Sequence, residues 1–283
     1  MELKKIKIRE AQKNSWNNFA PGWRKWDDFT MRFLQSQRQQ IIEALALEVD
    51  NNVLDIAAGT GEPGLSIASV VRNGNVTAVD LSEEMLNIAN EKAKALGLNN
   101  FHTTVADATK LPFQDSAFDA VSCRLGFMFF PDMVLAAKEM IRVLKPGGKL
   151  AVTVWGEPEK NLWVTAMVGA IKRHLDMPTP LPDTPGMFRC SQPGFMKSLF
   201  KELAIRTTEE TEINGEIKCQ STDEYWSFMN DVVPPVVTAF TKSPDHIRKK
   251  IKYELYDFLE NKQPGRQKNV SFGARLFTAR KSD

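Results

Sequence analysis

Cysteine is scarce. The 283 residues include only Cys123, Cys190 and Cys219. Wide spacing and an odd number give neither a disulfide framework nor a metal-ligand pattern, so no metal is expected and a reducing cytoplasm is the expected compartment. Long apolar runs are also missing. The longest notable one, Leu125 to Phe130, falls far short of the ~20 residues of a membrane span, so no stable membrane insertion is expected. Met1 to Glu10 is basic but has no apolar h-region, so it does not read as a secretory signal. There is no internal repeat. A net charge of +2 is low for a protein that neutralises a phosphate backbone.

That small net charge hides an uneven distribution. Residues 1–40 carry nine Lys/Arg against four acids, and residues 242–268 carry eight against four, leaving an acidic centre. Two solvated basic faces are the plain reading. Attraction of an anionic substrate or surface is the sharper one.

The chain is organised around Val53-Leu54-Asp55-Ile56-Ala57-Ala58-Gly59-Thr60-Gly61-Glu62-Pro63-Gly64. A short apolar run ends in an acid and a glycine-rich turn, and a helical pattern follows. Glycines let the backbone turn sharply and approach a ligand, and the next helix aims free N–H groups at the loop. The stretch reads as a ligand crevice at the carboxyl end of a parallel strand. Gly59 to Gly64 formally fits the dinucleotide fingerprint G-x-G-x-x-G. A dinucleotide would seat a pyrophosphate there, whereas the acids Asp55 and Glu62 favour a cationic ligand.

Strands expected at 51–56, 75–79, 101–105, 118–123 and 149–155 alternate with helices at 62–71, 82–96 and 132–144. This rhythm specifies a doubly wound α/β fold with a parallel sheet. Before it, residues 8–48 form an N-terminal helical cap. Trp16, Phe19, Trp23, Trp26, Phe29 and Phe33 recur there at helical spacing, with a break at Pro21-Gly22. After Trp155 the rhythm changes. Helices are expected at 161–174, 194–203, from 221 onward and at 244–260, the latter packing its apolar side on the domain. Prolines make 176–193 an irregular loop, and strand character returns at 205–219, with a turn at Asn214-Gly215, and at 270–279. The expected organisation is a cap at 1–48 and an α/β core at 49–156. The remainder of the sheet (194–220 and 268–283) and helical lids (157–190 and 221–266) make up 157–283.

Asp80 ends the second strand, 25 residues after Asp55, where a carboxylate reaches both hydroxyls of a ribose. Further motifs follow in order: Val79-Asp80-Leu81-Ser82, Val105-Ala106-Asp107-Ala108, Leu111-Pro112-Phe113, Phe118-Asp119-Ala120-Val121 and Val143-Leu144-Lys145-Pro146-Gly147-Gly148-Lys149-Leu150. With Asp-x-Ala-x-Gly-x-Gly at 55–61, the set resembles class I S-adenosylmethionine-dependent methyltransferases over about 50–155. It is similar to the ubiquinone/menaquinone C-methyltransferase-like group. Ala57 stands where the usual motif has its first glycine.

The resemblance implies a mostly parallel seven-stranded Rossmann-like sheet and S-adenosylmethionine as cofactor, with S-adenosylhomocysteine as product. It also implies roles. Asp55, Ala57, Gly59 and Gly61 would serve the methionine and ribose side, and Asp80 the ribose hydroxyls. Leu81 and Met85 would lie against adenine, with Asp107 and Ala108 at its edge and Arg124 beside the methionine. Trp23 falls where an aromatic covers the methyl group, and Phe127, Phe129, Trp163 and Trp226 would wall the acceptor. The expected reaction is methyl transfer to carbon, oxygen or nitrogen of a small, partly apolar or aromatic acceptor. His102 reads as structural, and His174 and His246 as surface residues, so no catalytic base is assigned. Three alternatives stay open: a nucleic-acid methyltransferase, for which the Asn/Asp-Pro-Pro-Tyr/Phe motif and a suitably placed cysteine are missing, a nicotinamide-dependent oxidoreductase, and a non-catalytic binding protein that kept the cofactor pocket.

Overall fold

A computed structural model describes residues 2–176, 184–241 and 243–283. Seven strands form one sheet: β1 (Asn52–Ile56), β2 (Asn75–Asp80), β3 (Phe101–Val105), β4 (Phe118–Arg124), β5 (Leu144–Trp155), β6 (Ile205–Cys219) and β7 (Lys268–Lys281). Their order is β3-β2-β1-β4-β5-β7-β6. The first five pair in parallel, and β7 runs antiparallel between β5 and β6. The doubly wound, mostly parallel seven-stranded fold expected from the sequence is therefore present.

Described helices, in chain order, are α1 (Glu2–Lys25), α2 (Asp27–Phe33), α3 (Gln35–Leu45), α4 (Gly64–Val70), α5 (Glu83–Ala95), α6 (Met133–Val143), α7 (Leu162–His174), α8 (Phe195–Phe200), α9 (Thr222–Val232), α10 (Pro234–Thr241) and α11 (Asp245–Lys262). Their starts follow local chemistry. Ser82, Asp132 and Ser221 accept the N–H of Met85, Leu135 and Glu224, respectively, tying down donors that a helix start leaves unpaired.

Three local expectations differ from the fold. The break at Pro21-Gly22 does not occur, because α1 runs through Pro21 to Lys25. Gly22 there serves packing: a Cβ on it would lie 2.1 Å from the Asp231 carbonyl oxygen, so α1 meets α9 closely. Asp231 also accepts from Lys25 Nζ (2.7 Å) and Trp26 Nε1 (2.8 Å). The turn at Asn214-Gly215 is likewise missing. β6 is one continuous strand, and Gly215 lies opposite Phe272, whose ring occupies the space of a Cβ at 2.5 Å. Finally, β5 begins at Leu144 and includes Pro146-Gly147-Gly148, which the sequence suggests as a loop. Pro178, Pro180 and Pro182 of the expected irregular loop lie outside the described residues.

Some residues of the basic flanks pair with acids of the core or of their own flank. Lys5 pairs with Asp132 (2.6 Å), Arg9 with Asp107 (2.6 Å) and Arg24 with Glu91. Buried Lys268 pairs with Glu260 at 2.8 Å. The stripe Ile251, Leu255 and Leu259 of α11 is buried, as expected for packing on the domain. No described helix is long and apolar enough to cross a membrane.

Candidate active site

The C-terminal ends of β1, β2, β3 and β4 open on one cavity of about 1350 Å³, counting the mouth open to solvent. Such strand ends are where ligands bind in open parallel sheets. The turn after β1 makes the floor. Ala57 (φ 55°), Gly59 (φ 53°) and Gly61 (φ 106°) all adopt left-handed backbone. Gly126 leaves room for the Ala57 methyl: a Cβ on Gly126 would sit 2.4 Å from it. The methyl that replaces the motif's first glycine is thus matched by a glycine on the neighbouring loop.

Asp80 anchors the next side. Its Oδ2 accepts from Gly59 N and its Oδ1 from Ser82 N, each at 2.9 Å. Burial pushes its carboxyl above the ordinary range, and these backbone donors pull the other way. Asp107 accepts the Thr109 N–H at 2.9 Å and pairs with Arg9 of α1, which therefore straps the mouth beside it. Leu81, Met85 and Ala108 line the same end.

Arg124 ends β4 in the cavity wall and donates from Nε to the Glu62 carbonyl at 3.1 Å. Desolvation lowers its pKa, while the neighbouring Glu62 and Asp55 carboxylates raise it. The far wall is aromatic: Phe33, Trp155, Trp163 and Phe228 line it. Phe33 stacks on Trp155 with centroids 5.9 Å apart, and Trp155 and Trp163 meet at 5.0 Å.

Of the residues expected at the site, the cavity brings together Trp23, Ala57, Gly59, Asp80, Leu81, Met85, Asp107, Ala108, Arg124, Phe129 and Trp163. Asp55, Gly61, Phe127 and Trp226 do not line it. Asp55 is fully buried behind the loop, accepting from Gly64 N (3.0 Å) and Ser122 Oγ (2.7 Å). It ties the turn to β4 and the start of α4, and burial pushes its pKa up to about 7. Gly61 turns the backbone beneath the surface, against Leu65 and Ala89. Phe127 points into the core against Phe130 and Phe200, whereas Phe129, two residues on, reaches the cavity and Trp16. Trp226 meets Phe240 at a tilt, with centroids 5.2 Å apart, and lies beneath Lys252.

Sequence reasoning missed Phe33, Trp155 and Phe228 as cavity residues. Phe33 sits on the aromatic stripe of the cap, which reads equally as core packing. None of the three histidines lines the cavity: His102 and His246 are exposed, and His174 bonds Glu254 at 2.6 Å. No group of three or more metal-binding side chains occurs among the described residues.

Residues 17–173 match the model of the ubiE/COQ5 methyltransferase family. The chain is 37% identical over 122 residues to a demethylmenaquinone methyltransferase of Staphylococcus haemolyticus, an overlap of 43% of this chain and 50% of that protein. It is 35% identical over 127 residues to the Listeria monocytogenes protein of the same name, covering 44% and 54%. The chain spans about half the length of the curated relatives it matches. Among solved structures it resembles the YcgJ protein from Bacillus subtilis (TM-score 0.57, 22% identity, covering 87% of this chain and 98% of that one). It also resembles the phosphoethanolamine N-methyltransferase 2 of Haemonchus contortus in complex with S-adenosyl-L-methionine (TM-score 0.54, 18% identity, covering 87% and 52%). At these identities the structural likeness establishes the fold alone. The family follows from the sequence match, which spans more than half of the chain: the protein belongs to the ubiE/COQ5 methyltransferase family.

Proposed function

We propose that the protein is an S-adenosylmethionine-dependent methyltransferase acting on a small acceptor with an aromatic or otherwise apolar body. The carrying observation is the polarity gradient along one cavity: carboxylates at the strand ends, and an aromatic wall of Phe33, Trp155, Trp163 and Phe228 opposite. The residues present fit the cofactor. Asp80 takes the ribose hydroxyls, Asp107 and Ala108 meet the adenine edge, and Leu81 and Met85 pack on the ring. Ala57 and Gly59 offer backbone, with Arg124 at the methionyl end. The helices of 1–48 cap the site, and α7 and α9, which bring Trp163 and Phe228 to the cavity, act as its lid.

When bound, S-adenosylmethionine supplies an electrophilic methyl group on a sulfonium. The chain's task is then to bind, align and exclude water. Alignment of this kind supplies ~7–11 kcal/mol in favourable cases. An electron-rich quinol-type ring, methylated at carbon with loss of the displaced ring proton, fits the aromatic wall. The names of the relatives point the same way, since both are demethylmenaquinone methyltransferases.

Calorimetric titration of S-adenosylmethionine, S-adenosylhomocysteine and NAD(H) into the purified protein tests the cofactor. Micromolar binding of the first two is expected. A screen of quinols, phenols and amines, read by release of S-adenosylhomocysteine, then tests the acceptor, with quinols expected to react. Binding of NAD(H) alone would replace this reading with an oxidoreductase.

A further inference from the structure

Glu62 follows Gly61 in the turn after β1. Its side chain is 6% exposed yet lines the cavity. One carboxylate oxygen, Oε1, lies 3.7 Å from the Arg38 guanidinium, too far for a hydrogen bond. The other, Oε2, is buried with no hydrogen-bond partner among the described residues. A buried carboxylate oxygen left without a hydrogen bond is costly, so a site that keeps one is shaped for a donor supplied from outside.

The surroundings restrict that donor. Arg124 lines the same wall and holds the Glu62 carbonyl, and Arg38 lies behind the carboxylate. Two arginines flank this acid, one of whose oxygens lacks a hydrogen bond among the described residues, and Asp55 also lies near Arg124. A simple cation would answer Glu62 and be repelled by the arginines. A zwitterion answers both, placing its ammonium on the carboxylate and its own carboxylate on the guanidinium side. Asp55, the acid the motif would offer to an ammonium group, is already engaged by Gly64 and Ser122 and is fully buried.

We propose that Glu62 is the counter-ion for the α-ammonium group of the cofactor's methionyl end, replacing Asp55 in that role, with Arg124 on the carboxylate side of the same zwitterion. The assignment rests on the methyltransferase reading above and concerns only which side chain selects the amino-acid end. Recognition is by a charge-assisted hydrogen bond, short-range and nearly dry, so its loss is felt as affinity.

The test is a ligand-by-variant cycle, read by calorimetry on the full chain. The ligands are S-adenosylhomocysteine and its deamino analogue, in which hydrogen replaces the α-amino group. The variants are the unaltered protein and Glu62→Gln. The unaltered protein should bind S-adenosylhomocysteine about ten- to a hundredfold tighter than the analogue, the range for a hydrogen bond to a charged group. Glu62→Gln should reduce that ratio to within about threefold, leaving affinity for the analogue nearly unchanged. Equal binding of the two ligands by the unaltered protein would overturn the assignment without any variant. So would a Glu62→Gln protein that weakens both ligands alike and keeps the ratio. Binding of NAD(H) but of neither adenosyl ligand would sink the methyltransferase reading itself, and this assignment with it.

Discussion

The Asp80 carboxylate accepts the Gly59 backbone N–H at 2.9 Å, so the acid that ends β2 fixes the glycine turn that ends β1. Its second oxygen holds Ser82 N, and Ser82 Oγ caps α5. One side chain thus positions two loops and still borders the cavity.

Asp80→Ala is therefore expected to act twice. It removes charge-assisted bonds worth roughly 1.5–3 kcal/mol toward a ribose, or about ten- to a hundredfold in affinity for S-adenosylhomocysteine. It also frees two backbone donors, so the thermal midpoint without ligand should fall. Calorimetry and thermal unfolding read the two effects separately. Unchanged affinity would remove Asp80 from the ribose site.

Asp55 makes stability depend on pH with an unusual sign for a carboxylate. Burial pushes its folded pKa from 3.8 up to about 7, so the folded state holds a proton that the unfolded chain has released. The favourable contribution is complete below about pH 3.8 and is lost as pH rises to about 7. Other groups titrate in that window, so the comparison is with Asp55→Asn, which cannot ionise there. The stability of the unaltered protein minus that of Asp55→Asn, from urea unfolding, should fall between pH 5 and pH 7.5. A flat difference would mean that the carboxylate is ionised in the folded protein throughout.

The two glycines of the turn should answer differently to alanine. At Gly61 a Cβ would lie 2.6 Å from Leu65 Cδ1 and 3.1 Å from Ala89 Cβ, at φ 106°. Gly61→Ala should cost about 1–3 kcal/mol through overpacking alone. At Gly59 a Cβ meets nothing within 4 Å at φ 53°, so Gly59→Ala should cost about 1–2 kcal/mol of backbone strain. That methyl borders the cavity, and Gly59→Ala should weaken cofactor binding more than it weakens the fold. Urea midpoints and calorimetric affinities of both variants check the contrast.

Much of this protein is determined locally and is legible in the residues themselves. The acids closing β2 and β3, the caps Ser82, Asp132 and Ser221, and the alternation of apolar strands with amphipathic helices specify the wound sheet. Each depends on chemistry within a few residues, such as an unpaired N–H, a left-handed angle or a periodic apolar face. Tertiary structure alone decided which surface each apolar residue would meet. Phe127 and Phe129 share a single turn, yet one is sealed in the core and the other borders the cavity. Trp226 and Phe228 share α9, and it is Phe228 that reaches the cavity. Gly22 and Gly215 mark close approaches to Asp231 and Phe272, not breaks or turns, and Gly126 marks a close approach to Ala57. Asp55 is a buried tie because Ser122, distant in sequence, closes around it together with Gly64 at the end of the turn. A sequence period tells which side of an element is apolar. When two apolar surfaces compete for that side, only packing assigns the winner.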